Sequence, residues 1–140
     1  MADLTDGIAQ YLAARGHGTY DPTGTTGDMF IEQMPSTPDE CIVLTVYGGP
    51  ESDSLLGYDE PRLQVRVRGT TDPRVSRRRC EAIRGELHGL SQATLPDGTH
   101  VVLAVALQAA AETLGADSSR RHEHVCNFSM EIRNVTVHRI

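Results

Sequence analysis

The segment PRLQVRVRGTTDPRVSRRRCEAIRGELHGL, residues 61–90, predicts one strand, one turn and one helix, around which the rest of the chain is arranged. Apolar and polar residues alternate over residues 62–68, which is the period of a strand with one face in the core. Asp72 followed by Pro73 is a strong signal for the start of a helix, and Gly89 for its end. The apolar stripe expected on this helix consists of Val75, Ile83 and Leu87.

Charge is distributed unevenly along the chain. Residues 61–90 contain eight of the thirteen basic residues, all arginine, against three acids, a balance of +5; because the whole chain carries −6, the other residues carry −11. The connection at residues 48–60 has four acids and no base. If the basic strand and helix of one copy meet the acidic connection of the next, the contact is head-to-tail and closes into a ring or extends as a filament. The predicted interface residues are Arg62, Arg66, Arg68, Arg74, Arg78, Glu51, Asp53, Asp59 and Glu60.

Periodicity and turn residues predict the remaining elements. Asp3 is the expected cap of a first helix that ends at Gly16. The apolar residues of this helix, at helical spacing, are Leu4, Ile8, Tyr11 and Leu12. Strands are expected at residues 28–34, 41–47, 62–68, 100–107 and from 122 to near residue 133, while residues 109–119 fit either a short helix or a loop.

These elements predict the fold class. Connections too short for crossover helices favour antiparallel pairing. We predict an α+β fold with a mainly antiparallel or mixed sheet of about five strands and two main helices packed on it. The chain is expected to form a single domain, residues 1–140, with mobile loops around residues 16–27 and 48–60.

The sequence lacks the patterns of the common enzyme classes. Without lysine, a P-loop nucleotide site and Schiff-base catalysis are excluded. No nucleophile-elbow, zinc-protease or dinucleotide-binding motif occurs, so we predict no enzyme activity and no cofactor. His122, His124 and Cys126 alternate on a predicted strand, which would place three metal ligands on one face. A fourth ligand at motif spacing is lacking and Phe128 continues the face, so a structural role is favoured and no metal is predicted.

Composition also bears on the partners. Three cysteines without a close pair fit buried, reduced thiols. The longest apolar run, residues 101–111, is shorter than the roughly 20 residues that cross a bilayer, so no membrane contact is predicted. The arginine row invites a nucleic-acid interpretation, but a net charge of −6, a pI near 5.4 and few stacking aromatic residues oppose it. A solvated basic face with weak surface ion pairs is the simplest alternative.

Four stretches resemble one family of proteins. They are PDECIVLTVYGG (residues 38–49), PRLQVRVRGTTDP (61–73), AIRGELHGL (82–90) and LGADSSRRHEHVCNFSMEI (114–132). Together with the opening helix and the following residues 16–20, GHGTY, they are similar to the small minor capsid or tail terminator proteins of long-tailed bacteriophages. The resemblance covers most of the chain and concerns stretches that form the fold.

This resemblance implies a structural virion protein that is assembled in the host bacterial cytoplasm. Such a protein forms a hexameric ring of its own copies at the head-proximal end of a tail tube and stops polymerisation of the tube. Its other implied partners are the tail tube protein, a head completion or connector protein, and DNA that passes through the lumen without sequence recognition. Arg62, Gln64, Arg66 and Arg68 match the family's strand motif and are carried over as interface or structural residues. Two alternatives stay open: a head closure or adaptor protein of the same junction, and a small nucleic-acid-binding regulator.

Overall fold

A computed structural model describes residues 3–140, so the first two residues of the predicted domain lie outside the described part. The described residues form two helices, α1 (Leu4–Ala14) and α2 (Pro73–Leu87). The strands are β1 (Met29–Ile31), β2 (Cys41–Tyr47), β3 (Tyr58–Asp59), β4 (Arg62–Arg68), β5 (Ser91–Thr94), β6 (His100–Ala106), β7 (Glu112–Ala116) and β8 (His122–Arg133).

The eight strands form one sheet around β8. Its main path is β1-β2-β4-β8-β6-β5, with β3 and β7 also paired to β8. The twelve-residue β8 has β4 and β3 along one edge, and β7 and then β6 along the other. The β1–β2 pair is parallel and every other pair of named strands is antiparallel. The predicted α+β class is therefore confirmed, although the sheet has eight strands and not about five.

Both helices contribute to a single buried cluster on one face of this sheet. The register pairs Leu44 with Val65 and Val65 with Cys126, so alternate residues of the three central strands point into this cluster. The helix residues buried against them are Leu4, Ile8 and Leu12 of α1, and Cys80, Ile83 and Leu87 of α2. Burial of each large aliphatic side chain contributes about 1.5–3 kcal/mol, which holds the helices on the sheet.

Both helices begin at the predicted aspartates. The Asp3 carboxylate accepts a hydrogen bond from the Asp6 backbone N–H (3.2 Å), and the Asp72 carboxylate accepts one from the Arg74 N–H (3.0 Å). On α2 the predicted apolar stripe was wrong at Val75, which is only half-buried. The neighbouring Ser76 is fully buried instead, because its hydroxyl pairs with His124 Nδ1 at 2.7 Å.

Three strands were not predicted, and one predicted strand is shorter. Residues 109–119 form neither a helix nor only a loop, since β7 pairs there with the first four residues of β8. The expected strand at residues 28–34 ends at Ile31, because Glu32 adopts a positive φ of 64°. The mobility predicted for residues 16–27 and 48–60 stays a prediction.

The residues considered for metal binding lie partly in the core. His124 is buried and bonded to Ser76, and burial lowers the pKa of its imidazole. Cys126 is fully buried with its Sγ 3.4 Å from that of Cys80. All three cysteines are buried and free, as expected. Within residues 3–140, no group of three or more His, Cys, Asp or Glu side chains is arranged to hold a metal ion.

Candidate functional site

The four acids predicted from the sequence surround one groove at the start of β4. The groove is lined by Pro50, Glu51, Asp53, Tyr58, Asp59, Glu60 and Glu131, and is called here the acidic groove. Glu131 lies on β8 and was not predicted to be part of the site. Its position between the buried Met130 and Ile132 indicates only that its side chain faces away from the core. Residues distant in sequence therefore bring five carboxylates to one surface.

A tight backbone turn builds the first side of the groove. Gly49 has a φ of +104°, and a Cβ at this position would collide with the carbonyl oxygen of Glu60. The Asp53 carboxylate accepts hydrogen bonds from the backbone N–H groups of Leu55 and Leu56, both at 2.7 Å. These bonds lower the pKa of Asp53, so the carboxylate is ionised at neutral pH.

The negative charge of Asp59 is balanced by an arginine of the same chain. Its carboxylate accepts two hydrogen bonds from the Arg139 guanidinium, at 2.7 and 2.8 Å, and a third from the Asn134 amide at 2.8 Å. The bonds from Arg139 are the main reason that the pKa of Asp59 lies well below its usual range. Glu51, by contrast, is exposed and makes no hydrogen bond or ion pair with residues 3–140. The groove thus retains negative charge for an external partner.

The arginines of β4 are engaged inside the molecule. Arg68 is only 3% exposed and donates hydrogen bonds to the backbone carbonyls of Pro38 (2.8 Å) and Asp39 (2.9 Å). Arg66 pairs with the nearly buried Glu123 at 2.5 Å, and Arg62 donates to the Ser129 hydroxyl at 3.0 Å. Arg68 thus holds the loop at residues 38–39 on the sheet, whereas Arg66 and Arg62 link β4 to β8. That these arginines contact another subunit stays a prediction.

The first turns of α2 present the exposed positive charge. Arg74, Arg77 and Arg78 are exposed and are called here the basic helix face. Arg74 forms an ion pair with the capping Asp72 at 3.1 Å, whereas Arg77 and Arg78 make no hydrogen bond or ion pair with the described part of the chain. Arg77 was not among the predicted interface residues, although it lies in the same arginine run. Two guanidinium groups are therefore available to a partner.

The two charged surfaces lie at opposite ends of the sheet. The acidic groove adjoins the start of β4, while four connecting residues separate the end of β4 from the start of α2. Gly69 contacts the first turn of α2 so closely that a Cβ there would lie 2.8 Å from the Ser76 nitrogen. A seven-residue strand spans roughly 20 Å, so the acidic groove and the basic helix face of one copy do not meet. Each copy can offer one surface to each of two neighbours.

These features define a class: a small α+β protein whose charged surfaces are exposed and placed at its two ends. Within residues 3–140, no helix has the length and apolar composition to cross a membrane.

Comparison with protein families shows to which family the chain belongs. The model of the bacteriophage tail terminator protein family matches residues 11–134, and the chain belongs to this family. It is therefore a structural protein of a phage tail and a component of the virion, and its family is structural, not enzymatic. Among individually curated proteins, none matches the sequence.

Proposed function

We propose that the chain assembles head-to-tail into a hexameric ring at the head-proximal end of a tail tube, where it ends polymerisation of the tube and joins tail to head. One observation carries the ring: surfaces of opposite charge lie at opposite ends of each copy. A contact between two different surfaces repeats from copy to copy, and it closes when the rotation between copies permits. The hexameric number follows from the family resemblance.

The charges support this arrangement. Among residues 3–140, Arg77 and Arg78 of the basic helix face and Glu51 of the acidic groove have no hydrogen-bond or ion-pair partner. Unpaired charges of opposite sign raise association rates and fix the register of a contact, while identical surfaces repel each other. The net charge of −6 also opposes lasting adhesion of DNA that passes through the lumen.

Electron microscopy of particles from a phage whose copy of this gene carries a stop codon tests the proposal. Over-length, unattached tails beside filled heads are expected, because nothing then ends the growth of the tube. Normal-length tails beside leaking heads would instead assign the protein to head closure. Intact particles would refute a structural role at this junction.

Charge reversal tests the contact itself. Arg78→Glu and Glu51→Arg each place like charges across the proposed interface and should each prevent ring formation. The double variant restores opposite charges with their positions exchanged and should recover rings by electron microscopy. If either single variant forms rings as well as the wild type, these residues are not in the contact. Arg120→Glu, a reversal of an exposed arginine outside both surfaces, is the matched control.

A further inference from the structure

The end of the chain is folded onto the loop before β3. The Gly57 N–H donates to the Ile140 carbonyl at 2.6 Å, and the Ile140 N–H donates to the Leu55 carbonyl at 3.0 Å. The Asn134 N–H donates to the Gly57 carbonyl at 2.7 Å, and Arg139 adds the paired bonds to Asp59. Residues 55–58 and 134–140 are called here the clasp. Backbone bonds and a charged pair hold it in one conformation.

The clasp directs apolar side chains outward. Val137 is 93% exposed, Ile140 75% and Leu55 72%. Leu56, Tyr58 and Val135 are also exposed large hydrophobic residues. These six side chains belong to two segments that backbone hydrogen bonds join, and a concentration of exposed apolar surface marks a site of interaction with another molecule. The clasp is therefore stabilised by its polar atoms, while its apolar atoms are left for a partner.

The chemistry of that partner follows from the rim of the clasp. Tyr58 of the clasp lines the acidic groove, and so does Asp59, which the clasp residue Arg139 binds. An apolar centre beside carboxylates fits a surface with apolar residues beside basic ones.

A surface with apolar and basic residues lies at the opposite end of the folded molecule. Leu107, which precedes β7, is 49% exposed, and Leu114, within β7, is 52% exposed. β7 pairs with the start of β8. The Glu81 carboxylate accepts a hydrogen bond from the Ala111 N–H at 2.7 Å, so this segment lies alongside α2. Arg77 is one helical turn before Glu81 and thus on the same side of α2.

Distance prevents the two surfaces of one molecule from meeting. β7 adjoins the first residues of β8, and the clasp continues from its last residue. Twelve strand residues span roughly 35 to 40 Å, so only a second molecule can bring these surfaces together.

We propose that the clasp is a docking site for a second copy of this chain, which covers it with β7 and the basic helix face. The proposal rests on the proposed ring and specifies the apolar part of its contact. Residues 135–140 lie outside the region that matches the family, so family membership does not account for the Val135, Val137 and Ile140 part of this surface.

A photo-crosslinking amino acid at position 137 of the full chain tests the proposal. The variant is supplied to the stop-codon phage, the assembled particles are irradiated, and the linked peptides are identified by mass spectrometry. Mixed isotope labelling distinguishes links within a copy from links between copies. A link to residues 74–79 or 107–116 of another copy is expected. A link to a different virion protein, a link only within one copy, or no link would overturn the proposal.

A substitution at the same position provides a second measurement. Val137→Asp would bury a charge in the contact and should lower the yield of joined particles at least about tenfold, whereas Val137→Thr keeps the shape and should retain most of the yield. Because Val137 is almost fully exposed, neither change disturbs the core. Suppose that the stop-codon phage makes over-length tails. If the Val137→Asp protein then restores the yield of joined particles to within about twofold of the wild-type yield, the clasp proposal alone fails. If the stop-codon phage makes normal joined tails, the proposed function fails.

Discussion

Replacing Gly49 with alanine tests how the acidic groove is built. Gly49 combines two constraints: a φ of +104° and a backbone approach to the Glu60 carbonyl that leaves no room for a Cβ. The backbone conformation costs a residue with a side chain about 1–2 kcal/mol, and displacement of a packed backbone costs a further ~1–3 kcal/mol. We therefore expect Gly49→Ala to lower the free energy of unfolding by about 2–5 kcal/mol.

The chain contains a matched control for the first of these two terms. Gly24 has a φ of +74°, but a Cβ there would have no neighbour within 4 Å in the described part of the chain. Gly24→Ala should therefore cost only the conformational term of about 1–2 kcal/mol. For a chain of this length, each kcal/mol lowers the Tm by roughly 3–4 °C, so thermal denaturation followed by circular dichroism separates the two variants.

The difference in stability between the Gly49 and Gly24 variants decides whether the approach to Glu60 matters. If Gly49→Ala is no less stable than Gly24→Ala, the approach to Glu60 is not a constraint and the account of the groove is wrong. A destabilised Gly49→Ala should also form fewer rings at a temperature where it stays folded, because Glu51 and Glu60 would be displaced relative to each other. Gly24→Ala should form rings normally at the same temperature.

Three further predictions concern the core and the clasp. Phe128→Ala removes a fully buried side chain of β8 and should lower the unfolding free energy by about 3–5 kcal/mol, measured by urea denaturation; a loss below ~1 kcal/mol would contradict its place in the core. Arg139→Ala should speed hydrogen exchange at the Gly57 and Ile140 amides but leave β8 unchanged, whereas equal acceleration throughout would show that the clasp does not open locally. Because the pKa of Asp59 is lowered in the folded chain, its contribution is fully present above the ordinary value of 3.8 and is lost as the pH falls below it. In a His138→Gln variant, which lacks the titratable imidazole next to Val137, the methyl NMR signals of Val137 should therefore stay constant from neutral pH to about 5 and change only in more acidic solution, and a change near neutrality would contradict this assignment.

The sequence contained enough information to predict the elements that bury an apolar face. Residues 41–47 were predicted as a strand and form β2 with the same bounds, and both helices begin after the predicted aspartates. Their patterns were readable because each element carries its own alternation or helical spacing. β7 carries no such pattern: all five of its residues, ETLGA, are exposed. It is a strand because β8 provides an open edge for it, which is a tertiary contact and not a local preference.

The candidate site was predictable in part for the same reason. The four acids lie within ten residues of each other, so their convergence on one groove could be expected. Alternation placed Arg68 with Arg62 and Arg66 on the outward face, but it could not show that carbonyls of residues 38 and 39 cover the end of β4. The outward apolar side chains of the clasp were also missed, because exposure of Val137 depends on how residues 134–140 fold back onto Gly57.

The position of β8 in the chain determines when the protein can fold. Arg62 of β4 pairs with Ser129, a separation of 67 residues, and β6, β7 and β3 also need β8 as their partner. A nascent chain that has reached only residue 121 lacks the central strand, so the sheet cannot close around its core while the chain is still being synthesised to that point. Long-range pairing of this kind makes folding slow, because the entropy of loop closure is lost before the contacts form. A subunit able to enter the proposed ring therefore appears only after translation has passed residue 133, so an unfinished chain would be excluded from that ring.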